Sequence, residues 1–175
     1  MALAVTLLFA CESNFEQIQK INTNEMMPSG DADSIHLKYS DFGIVKTILK
    51  APKMLDYGAV NYPFTEFPKG VHLTLLDDKN QASFVESQYA VTHKQTGIID
   101  LRTNVKLTSP QGQVLETSQL YYDQKNEWFF TEKNFTFTDK KGITNGEGID
   151  FSKDFTRITY KNVYAETEVE STEKP

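Results

Sequence analysis

From residue 34 onward, polar and apolar residues alternate along the chain. The segment "SIHLKYS" places Ile35, Leu37 and Tyr39 on one side of a strand and the polar residues between them on the other. The segment "IIDLRTNVKLT", residues 98–108, continues the same period of two. This pattern predicts antiparallel strands with one face in a core and the other in water.

Clusters of turn-forming residues separate these runs. We interpret "GVHLTLLDDKNQASFVESQYAV", residues 70–91, as two strands around a turn at 77–80. Further turns are predicted at 109–112, 123–126, 139–142 and 152–154, where Asp, Asn, Ser, Pro and Gly concentrate. The chain is therefore predicted to be a long meander of short strands.

The best candidate for a helix is "DFGIVKTILKAPKMLDYG", and it contains Pro52. Proline removes a backbone hydrogen bond and interrupts a helix. The same segment fits a turn at 41–43 followed by a strand from Ile44 to Leu49, which is the interpretation that we adopt.

A polar residue, an asparagine and an apolar residue recur at nearly even spacing around Asn104, Asn134 and Asn162. Aligned on the asparagine, three segments each fit a strand, a turn and a strand: "SQYAVTHKQTGIIDLRTNV", "SQLYYDQKNEWFFTEKNF" and "GEGIDFSKDFTRITYKNV". Repetition of this length is typical of stacked hairpin units that cannot bury their apolar faces alone.

We expect the asparagine of each copy to lie at a bulge or bend. The reason is a change of phase in the aromatic alternation across the second copy: Trp128 and Phe130 occupy even positions, whereas Phe135 and Phe137 occupy odd ones. Such a change is expected where an extra residue enters a strand.

Composition excludes several classes of protein. Twelve Phe and eight Tyr among 175 residues argue against general disorder. The net charge is −6 and Lys and Arg are not clustered, so nucleic acid is not an expected partner. The acidic end, 165–175, is predicted to be a solvated, disordered tail.

The N-terminus "MALAVTLLFAC" is an apolar run that ends in the single cysteine, Cys11. A small residue directly before a lone cysteine resembles the lipobox of a bacterial lipoprotein signal peptide. We therefore predict a signal peptide over 1–10, lipidation of Cys11 and a polar tether over 11–33. The alternative is a buried cysteine in an apolar N-terminus. No other segment is long and apolar enough to cross a bilayer.

No residue pattern indicates catalysis, a cofactor or a metal. His36, His72 and His93 fall on separate segments without the spacing of metal ligands. The neighbouring Asp77 and Asp78 lie in a turn, where aspartate is expected anyway. Nucleophile motifs, phosphate-binding glycine loops and dinucleotide fingerprints are missing from the sequence. The pair of glycines at 146 and 148 is better explained by a bent strand.

Several segments together resemble the LptC family of periplasmic lipopolysaccharide-transport proteins, whose fold is shared with LptA and the OstA-type domains. The similar segments are "YSDFGIVKTILKAPKM", the strand ending in "TNVKL", the hairpin "GQVLETSQLYYD" and the "GEG" that opens the last pair of strands. The similarity covers about 34–164, which is the predicted domain. It implies an all-β fold, a twisted open β-jellyroll of two packed antiparallel sheets.

The resemblance also implies a carrier function without catalysis. Members of this family receive lipopolysaccharide from an inner-membrane ABC transporter (LptB2FG-like) in Gram-negative bacteria and pass it to an LptA-like bridge protein. This chain differs in its anchor, because many members have an N-terminal transmembrane helix where this one has a predicted lipidated cysteine. We therefore expect a lipid-anchored protein on the periplasmic side of the inner membrane.

Under this resemblance, the inward apolar face is predicted to bind acyl chains in a trough between the sheets, because burying apolar surface is worth roughly 25 cal/mol per Å². The predicted lipid-binding residues are Val71, Leu73, Leu75, Val85, Ile99, Leu101, Val105, Leu107, Phe135 and Phe137. The alternative is that these residues only pack against each other as a core.

The first and last strands are predicted to be the edges that pair with partner proteins. The predicted edge residues are Ile35, Leu37 and Tyr39 toward the transporter, and Ile158, Tyr160 and Tyr164 toward the bridge protein. Three other readings stay open: a soluble LptA-like bridge subunit, a surface lipoprotein that binds or degrades glycans, and a parallel β-helix.

Overall fold

A computed structural model describes residues 27–168 of the chain. The predicted signal peptide, Cys11, most of the predicted tether and the end of the acidic tail lie outside the described residues. Within them the chain forms eleven strands: β1 (Gly30–Asp41), β2 (Ile44–Tyr57), β3 (Phe64–Phe67), β4 (Val71–Leu76), β5 (Ala82–Ser87), β6 (Tyr89–His93), β7 (Ile98–Thr108), β8 (Val114–Asp123), β9 (Trp128–Thr138), β10 (Gly142–Ser152) and β11 (Ile158–Glu168).

The prediction of an all-β jellyroll is confirmed. The strands form one continuous antiparallel sheet in the order β11-β10-β9-β8-β7-β5-β4-β2-β3-β6, with β1 beside β2 and an additional pairing of β6 with β7. A parallel β-helix is excluded for the described part of the chain, because its neighbouring strands run antiparallel.

The sheet folds over because β2 and β7 each change partners along their length. β2 pairs with β4 over 47–50 and with β3 over 55–57. β7 pairs with β6 over 98–102 and with β5 over 106–108. These switches close β2, β4, β5, β7, β6 and β3 into a ring, and they divide the sheet into two layers.

The first layer consists of β4, β5 and the strand segments that continue their side of the sheet. The second layer consists of β3, β6 and the strand segments that continue the other side. First-layer segments are 35–39, 47–50, 105–108, 114–117, 135–138, 143–146 and 163–167. Second-layer segments are 30–33, 53–57, 98–102, 119–123, 128–131, 149–152 and 158–160. Each long strand thus contributes to both layers.

The line where the long strands cross from one layer to the other is called the ridge below. In β7 the register shifts between Arg102 and Val105, and Thr103 and Asn104 between them have φ values of 64° and 51°. Comparable shifts occur in β8 between 117 and 121 and in β10 between 147 and 149. Bulges of this kind bend a strand and increase its twist, which turns each strand from one layer into the other.

The expectation that the repeated asparagine marks a bulge is confirmed. Asn104 lies in the β7 bulge, and Asn134 and Asn162 both pair with Glu147, next to the shifts in β10. The three repeats are the hairpins β6–β7, β8–β9 and β10–β11, whose turns all belong to the second layer. The motif therefore recurs because each second strand must bend at the ridge.

The prediction that the alternation of inward-facing residues changes phase within β9 is wrong. The buried residues of β9 are Phe129, Thr131, Phe135 and Phe137, all at odd positions, and Trp128 is only half-buried. The change of phase occurs instead in β8, where Leu115 and Thr117 are followed by Leu120 and Tyr122. Both β8 and β9 contain unpaired residues at the bulge in their ladder. The number of unpaired residues in each strand decides whether its inward-facing positions switch between odd and even.

The β2 strand runs well past Leu49, where it was expected to end, and continues to Tyr57 through Pro52. The ladder of β2 toward the ring has a gap over 51–54, between its pairings with β4 and β3. On the other side, Pro52 faces Ser34, which has a φ of 57° and is skipped in the register. Proline is tolerated because no ladder hydrogen bond is required of its nitrogen there.

Residues 70–91 form β4, β5 and the start of β6, so the expectation of two strands was incomplete. The break falls at Gln88, whose backbone N–H donates to Thr103 O at 3.0 Å on the ridge. Gly70 sits opposite, with a φ of 82°, and a Cβ there would lie 2.3 Å from Ser87 O. β5 ends in the first layer and β6 begins in the second because the chain crosses the ridge at this point.

Candidate functional site

All ten residues predicted to face inward are buried between the two layers. Val71 is the most exposed of them at 6%, and Leu73, Val85, Leu101 and Leu107 are at 0%. They belong to one apolar cluster that draws on both layers. Their inward orientation agrees with the alternation, while their contact with lipid stays a prediction.

The sequence reasoning missed about as many interior residues as it found. Leu115, Leu120, Phe129, Ile149 and Phe151 are at 0% exposure in the same cluster. The alternation in "VLETSQLYYD" and "GIDFS" contains the signal for most of these. Phe129 was hidden because "WFF" offers an aromatic residue in either phase.

An apolar cavity of about 220 Å³ opens between the layers beside β1. Its lining combines first-layer and second-layer residues, so it lies between the layers at the β1 edge of the sheet. Among its lining residues are Leu37, Leu49 and Leu73 from the first layer and Met54, Phe67 and Ile99 from the second. The site therefore offers aliphatic surface on both walls.

The opposite end of the interior, under β8 to β11, is filled by aromatic rings. Phe129 stacks on Tyr122 with ring centroids 4.4 Å apart and on Phe151 at 5.2 Å, and Phe151 stacks on Phe155 at 5.0 Å. Burial raises the pKa of the Tyr122 hydroxyl. Offset stacks of this kind pack tightly and leave little free volume.

Two aromatic contacts, both made by Tyr160, join the two layers directly at this end. Phe135 of the first layer stacks on Tyr160 of the second, with ring centroids 5.8 Å apart. Phe137 approaches the same ring edge-on at 6.1 Å. Burial is the largest cause of the raised pKa of Tyr160. Two of the predicted lipid-binding residues are thus engaged with an aromatic partner.

A larger cavity of about 680 Å³ lies on the ridge. Its lining includes Lys50, Lys69 and the pair His72 and Glu86, whose Nδ1 and Oε1 atoms are 3.0 Å apart. Polar side chains and broad exposure to water make this cavity unsuited to acyl chains. The apolar cavity is the better candidate site despite its smaller volume.

Both predicted edge strands are free edges within the described residues. β1 pairs only with β2, and β11 pairs only with β10. Their far backbone edges therefore carry unpaired N–H and C=O groups, which can pair with a strand of another chain. The pairing with partner proteins stays a prediction.

The six predicted edge residues divide into two groups by their exposure. Ile35, Ile158 and Tyr160 are partly buried and pack on the core. The other three are more exposed: Leu37 at 49% and Tyr39 at 60% border the apolar cavity, and Tyr164 is 63% exposed. The Tyr164 hydroxyl donates to Glu147 Oε2 at 2.6 Å, which is the main cause of its raised pKa.

Residues 27–168 contain no group of three or more His, Cys, Asp or Glu placed to hold a metal ion. They also contain no helix long and apolar enough to span a membrane. The glycines at 146 and 148 lie at the ridge, as expected for a bent strand. A Cβ at Gly146 would lie 2.2 Å from Asn162 O, and Gly148 has a φ of 76°.

Comparison with protein families gives one match for this arrangement. The family model described as "LptC: Lipopolysaccharide-assembly, LptC-related" matches residues 1–168. No curated protein matches the chain.

Proposed function

Because this chain belongs to the LptC family, and so has a role in lipopolysaccharide transport, we propose that it carries lipopolysaccharide between its two layers of strands. In this proposal it receives the lipid from the inner-membrane ABC transporter and passes it to an LptA-like bridge protein. The family consists of transport and bridge proteins, and the proposal assigns no catalytic step to this chain.

Family membership also implies an inner-membrane-associated protein of the Gram-negative periplasm. We propose that a lipid on Cys11 holds this chain there. The cysteine is separated from the first strand at Gly30 by a polar segment, which would allow the folded domain to stand off the bilayer surface.

The observation that carries the proposal is the apolar cavity beside β1. Its walls come from both layers, and it lies next to a free strand edge. Acyl chains entering there would replace water against aliphatic side chains, at roughly 25 cal/mol gained per Å² buried. The sugars would stay in solvent outside the layers.

The cavity is smaller than the roughly 300 Å³ at which ordinary ligand sites begin. Loading several acyl chains therefore requires the layers to separate. We expect separation to cost least at the β1 end, because Ile35, Leu49 and Met54 are only partly buried there. At the other end the stacking of Phe135 on Tyr160 would have to be broken. The proposed path of the lipid starts at this end and proceeds under β4, β5 and β7.

Photo-crosslinking in cells of the native host tests the proposal. A photoreactive amino acid at Leu49 lies in the cavity wall, and the same residue at Ile48, which alternates to the other face of β2, is the matched control. We expect Leu49 to capture lipopolysaccharide and Ile48 not to do so. Equal capture at both positions, or none at either in a folded and membrane-attached protein, would contradict the carrier function.

The two edges are tested in the same way with a photoreactive residue at Tyr39 on β1 and at Tyr164 on β11. Both side chains are well exposed. The proposal expects Tyr39 to capture a transporter subunit and Tyr164 a different protein, the bridge component. Capture of a second copy of this chain at both sites would favour the soluble, filament-forming bridge subunit instead.

A further inference from the structure

Opposite the ridge, the turns of the two layers face each other along an opening that we call the mouth. A polar cavity of about 560 Å³ lies in it. The first layer contributes Lys46 and Asp78, and the second contributes Lys125, Glu127 and Lys153. The mouth is therefore lined by charged groups from both layers.

The polar cavity adjoins the apolar cavity beside β1. Three residues, Tyr39, Thr47 and Gln124, line both of them. A molecule occupying both spaces would place an apolar part between the layers and a charged part in the mouth. The two cavities together thus match an amphiphile in which an ionic group lies close to the first carbons of a hydrocarbon chain.

Local structure explains why two of the lysines reach the mouth. Lys46 is the residue left out of the β1–β2 register, between the pairs Tyr39–Thr47 and Ser40–Val45. This bulge turns its side chain toward the turns. Lys153 directly follows β10, and its backbone N–H donates to Glu127 O at 2.9 Å. Both positions are set by backbone geometry.

These two lysines are more deeply covered than the carboxylates that neutralise them. Lys46 is 22% exposed and lies 2.5 Å from an oxygen of Asp78, which is 94% exposed. Lys153 is 10% exposed and lies 2.9 Å from an oxygen of Glu127, which is 59% exposed. Lysines and carboxylates, including Asp41, thus line the cavity together, and in both ion pairs the lysine is the less exposed partner.

The pairs also influence each other across the mouth. The hydrogen bond from Lys46 is the main cause of the lowered pKa of Asp78, and Lys153 lowers it further. The hydrogen bond to Asp78 likewise is the main cause of the raised pKa of Lys46, and Glu127 adds to it. The two ion pairs are therefore coupled electrostatically across the mouth.

The third lysine is differently placed. Lys125 Nζ donates to the backbone oxygen of Gln95 at 3.2 Å, and among the described residues it has no carboxylate within ion-pair distance. Its charge is therefore available to an anion without breaking an ion pair. Asp78 and Glu127 are themselves exposed, so each would be hydrated again if a ligand anion took its place.

We propose that the mouth binds a phosphate group of an acylated, phosphorylated glycolipid whose acyl chains enter the apolar cavity. Lys125 takes the phosphate first, and Lys46 and Lys153 exchange their carboxylate partners for it. This inference rests on the proposed carrier function and adds the residues that recognise the anionic headgroup. Phosphate favours such a site because each of its oxygens accepts charge-assisted hydrogen bonds from lysine.

Binding of two lipids to the purified full-length chain tests the inference. One probe is lipid A with both phosphates, and the other is the same lipid after removal of its phosphates; both displace a fluorescent fatty acid. Lys125→Gln removes the unpaired charge, and Lys140→Gln, at an exposed position outside the polar cavity, is the matched control. The double variant Lys46→Gln/Lys153→Gln extends the test to the paired lysines. Thermal unfolding verifies that every variant is folded.

We expect Lys125→Gln to weaken binding of the phosphorylated lipid roughly tenfold, as for one lost charge-assisted hydrogen bond, with the dephosphorylated lipid unchanged. The Lys140→Gln control should change neither. Equal weakening of both lipids, or no weakening by either mouth variant, would overturn the headgroup site while leaving the carrier function intact. Displacement of the phosphorylated lipid by millimolar inorganic phosphate would identify a site for free phosphate and would overturn it too. If the unmodified chain binds neither lipid, the carrier function itself fails.

Discussion

The two ends of the space between the layers are filled in different ways. At the β1 end the walls are mainly aliphatic, the residues Ile35, Leu49 and Met54 are only partly buried, and a cavity remains. At the β11 end, aromatic rings stack along the second layer around Phe129, and Tyr160 of that layer packs against Phe135 and Phe137 of the first. Aromatic stacks hold a fixed geometry, whereas aliphatic side chains slide past each other and past hydrocarbon chains at little cost. The β1 end is therefore suited to open, and the β11 end to keep the layers together.

The largest expected effect comes from removing the centre of the aromatic stack. Phe129→Ala should lower the free energy of unfolding by about 3–5 kcal/mol, because a large ring at 0% exposure leaves a cavity. Urea unfolding measures it. Phe130→Ala, the half-buried neighbour on the outer face of the same strand, is the control and should cost much less. Similar losses for both variants would mean that the buried stack does not stabilise this end more than the outer face does.

The next effect concerns the ridge beneath the same end. Gly146→Ala would place a Cβ 2.2 Å from Asn162 O and 2.8 Å from the Phe135 ring, so we expect a loss of about 2–4 kcal/mol. At Gly112, in an exposed turn, φ is 83° and a Cβ meets nothing within 4 Å. Gly112→Ala should therefore cost only the backbone strain, about 1–2 kcal/mol. Equal losses in thermal or urea unfolding would contradict the close approach at the ridge.

Lowering the pH should destabilise the two ends by removing different interactions, an ion pair at the β1 end and a hydrogen bond from a hydroxyl group at the other end. A hydrogen bond from Lys94 is the main cause of the lowered pKa of Asp56 at the β1 end, and one from the Ser152 hydroxyl is the main cause for Asp154 at the other end. A pKa below the ordinary value of 3.8 means that each carboxylate stabilises the fold above that pH. This stability is lost as the pH falls through the lowered pKa.

Asp56→Asn and Asp154→Asn should therefore both flatten the fall in unfolding free energy between pH 5 and pH 3, each by less than about 1 kcal/mol. Salt at about 1 M should remove most of the Asp56 effect, because it screens the ion pair with Lys94. The Asp154 effect should persist, because its main partner is a neutral hydroxyl. Identical salt dependence of the two variants would contradict this assignment.

The smallest effect is expected at the tip of the β1–β2 hairpin, where the substitution should raise the free energy of unfolding instead of lowering it. Phe42 is 98% exposed with a φ of 46°, followed by Gly43 with a φ of 79°. Two-residue hairpin turns of this geometry favour Asn before Gly. Phe42→Asn should stabilise the fold by about 0.5–1 kcal/mol, whereas Phe42→Ala, which removes the ring without tolerating positive φ, should not. A loss of stability in Phe42→Asn would show that the ring packs on the domain.

Much of the fold was predictable because its signals are local. Alternation depends only on neighbouring residues, and it marked the strands around residues 35–39 and 98–108. Turns such as 77–80 and 139–142 contain Asp residues whose side chains accept backbone N–H groups of the turn, as Asp77 and Asp139 do here.

The rest depended on the ridge, which the sequence marks only weakly. The length of β2 could not be predicted because Pro52 is tolerated only where β2 exchanges β4 for β3, a property of the tertiary fold. The inward phase of β9 could not be read from "WFF", because it depends on how many residues the bulge takes from each strand. The cavities formed between the layers also depend on this pairing, so no local pattern indicates them.

The ring closes through β2 and β7 and includes β2 to β7. The strands β8 to β11 lie outside the ring and only extend the two layers. Beyond β7, each strand pairs with its sequence neighbours alone, and none of them takes part in the ring. A hairpin could therefore be added after β11, or the β10–β11 hairpin removed, during evolution without disturbing the ring. Since two strands are gained or lost together, the new terminal strand would run in the same direction as β11. The number of strands could thus vary while the terminal edge offered the same backbone geometry for pairing.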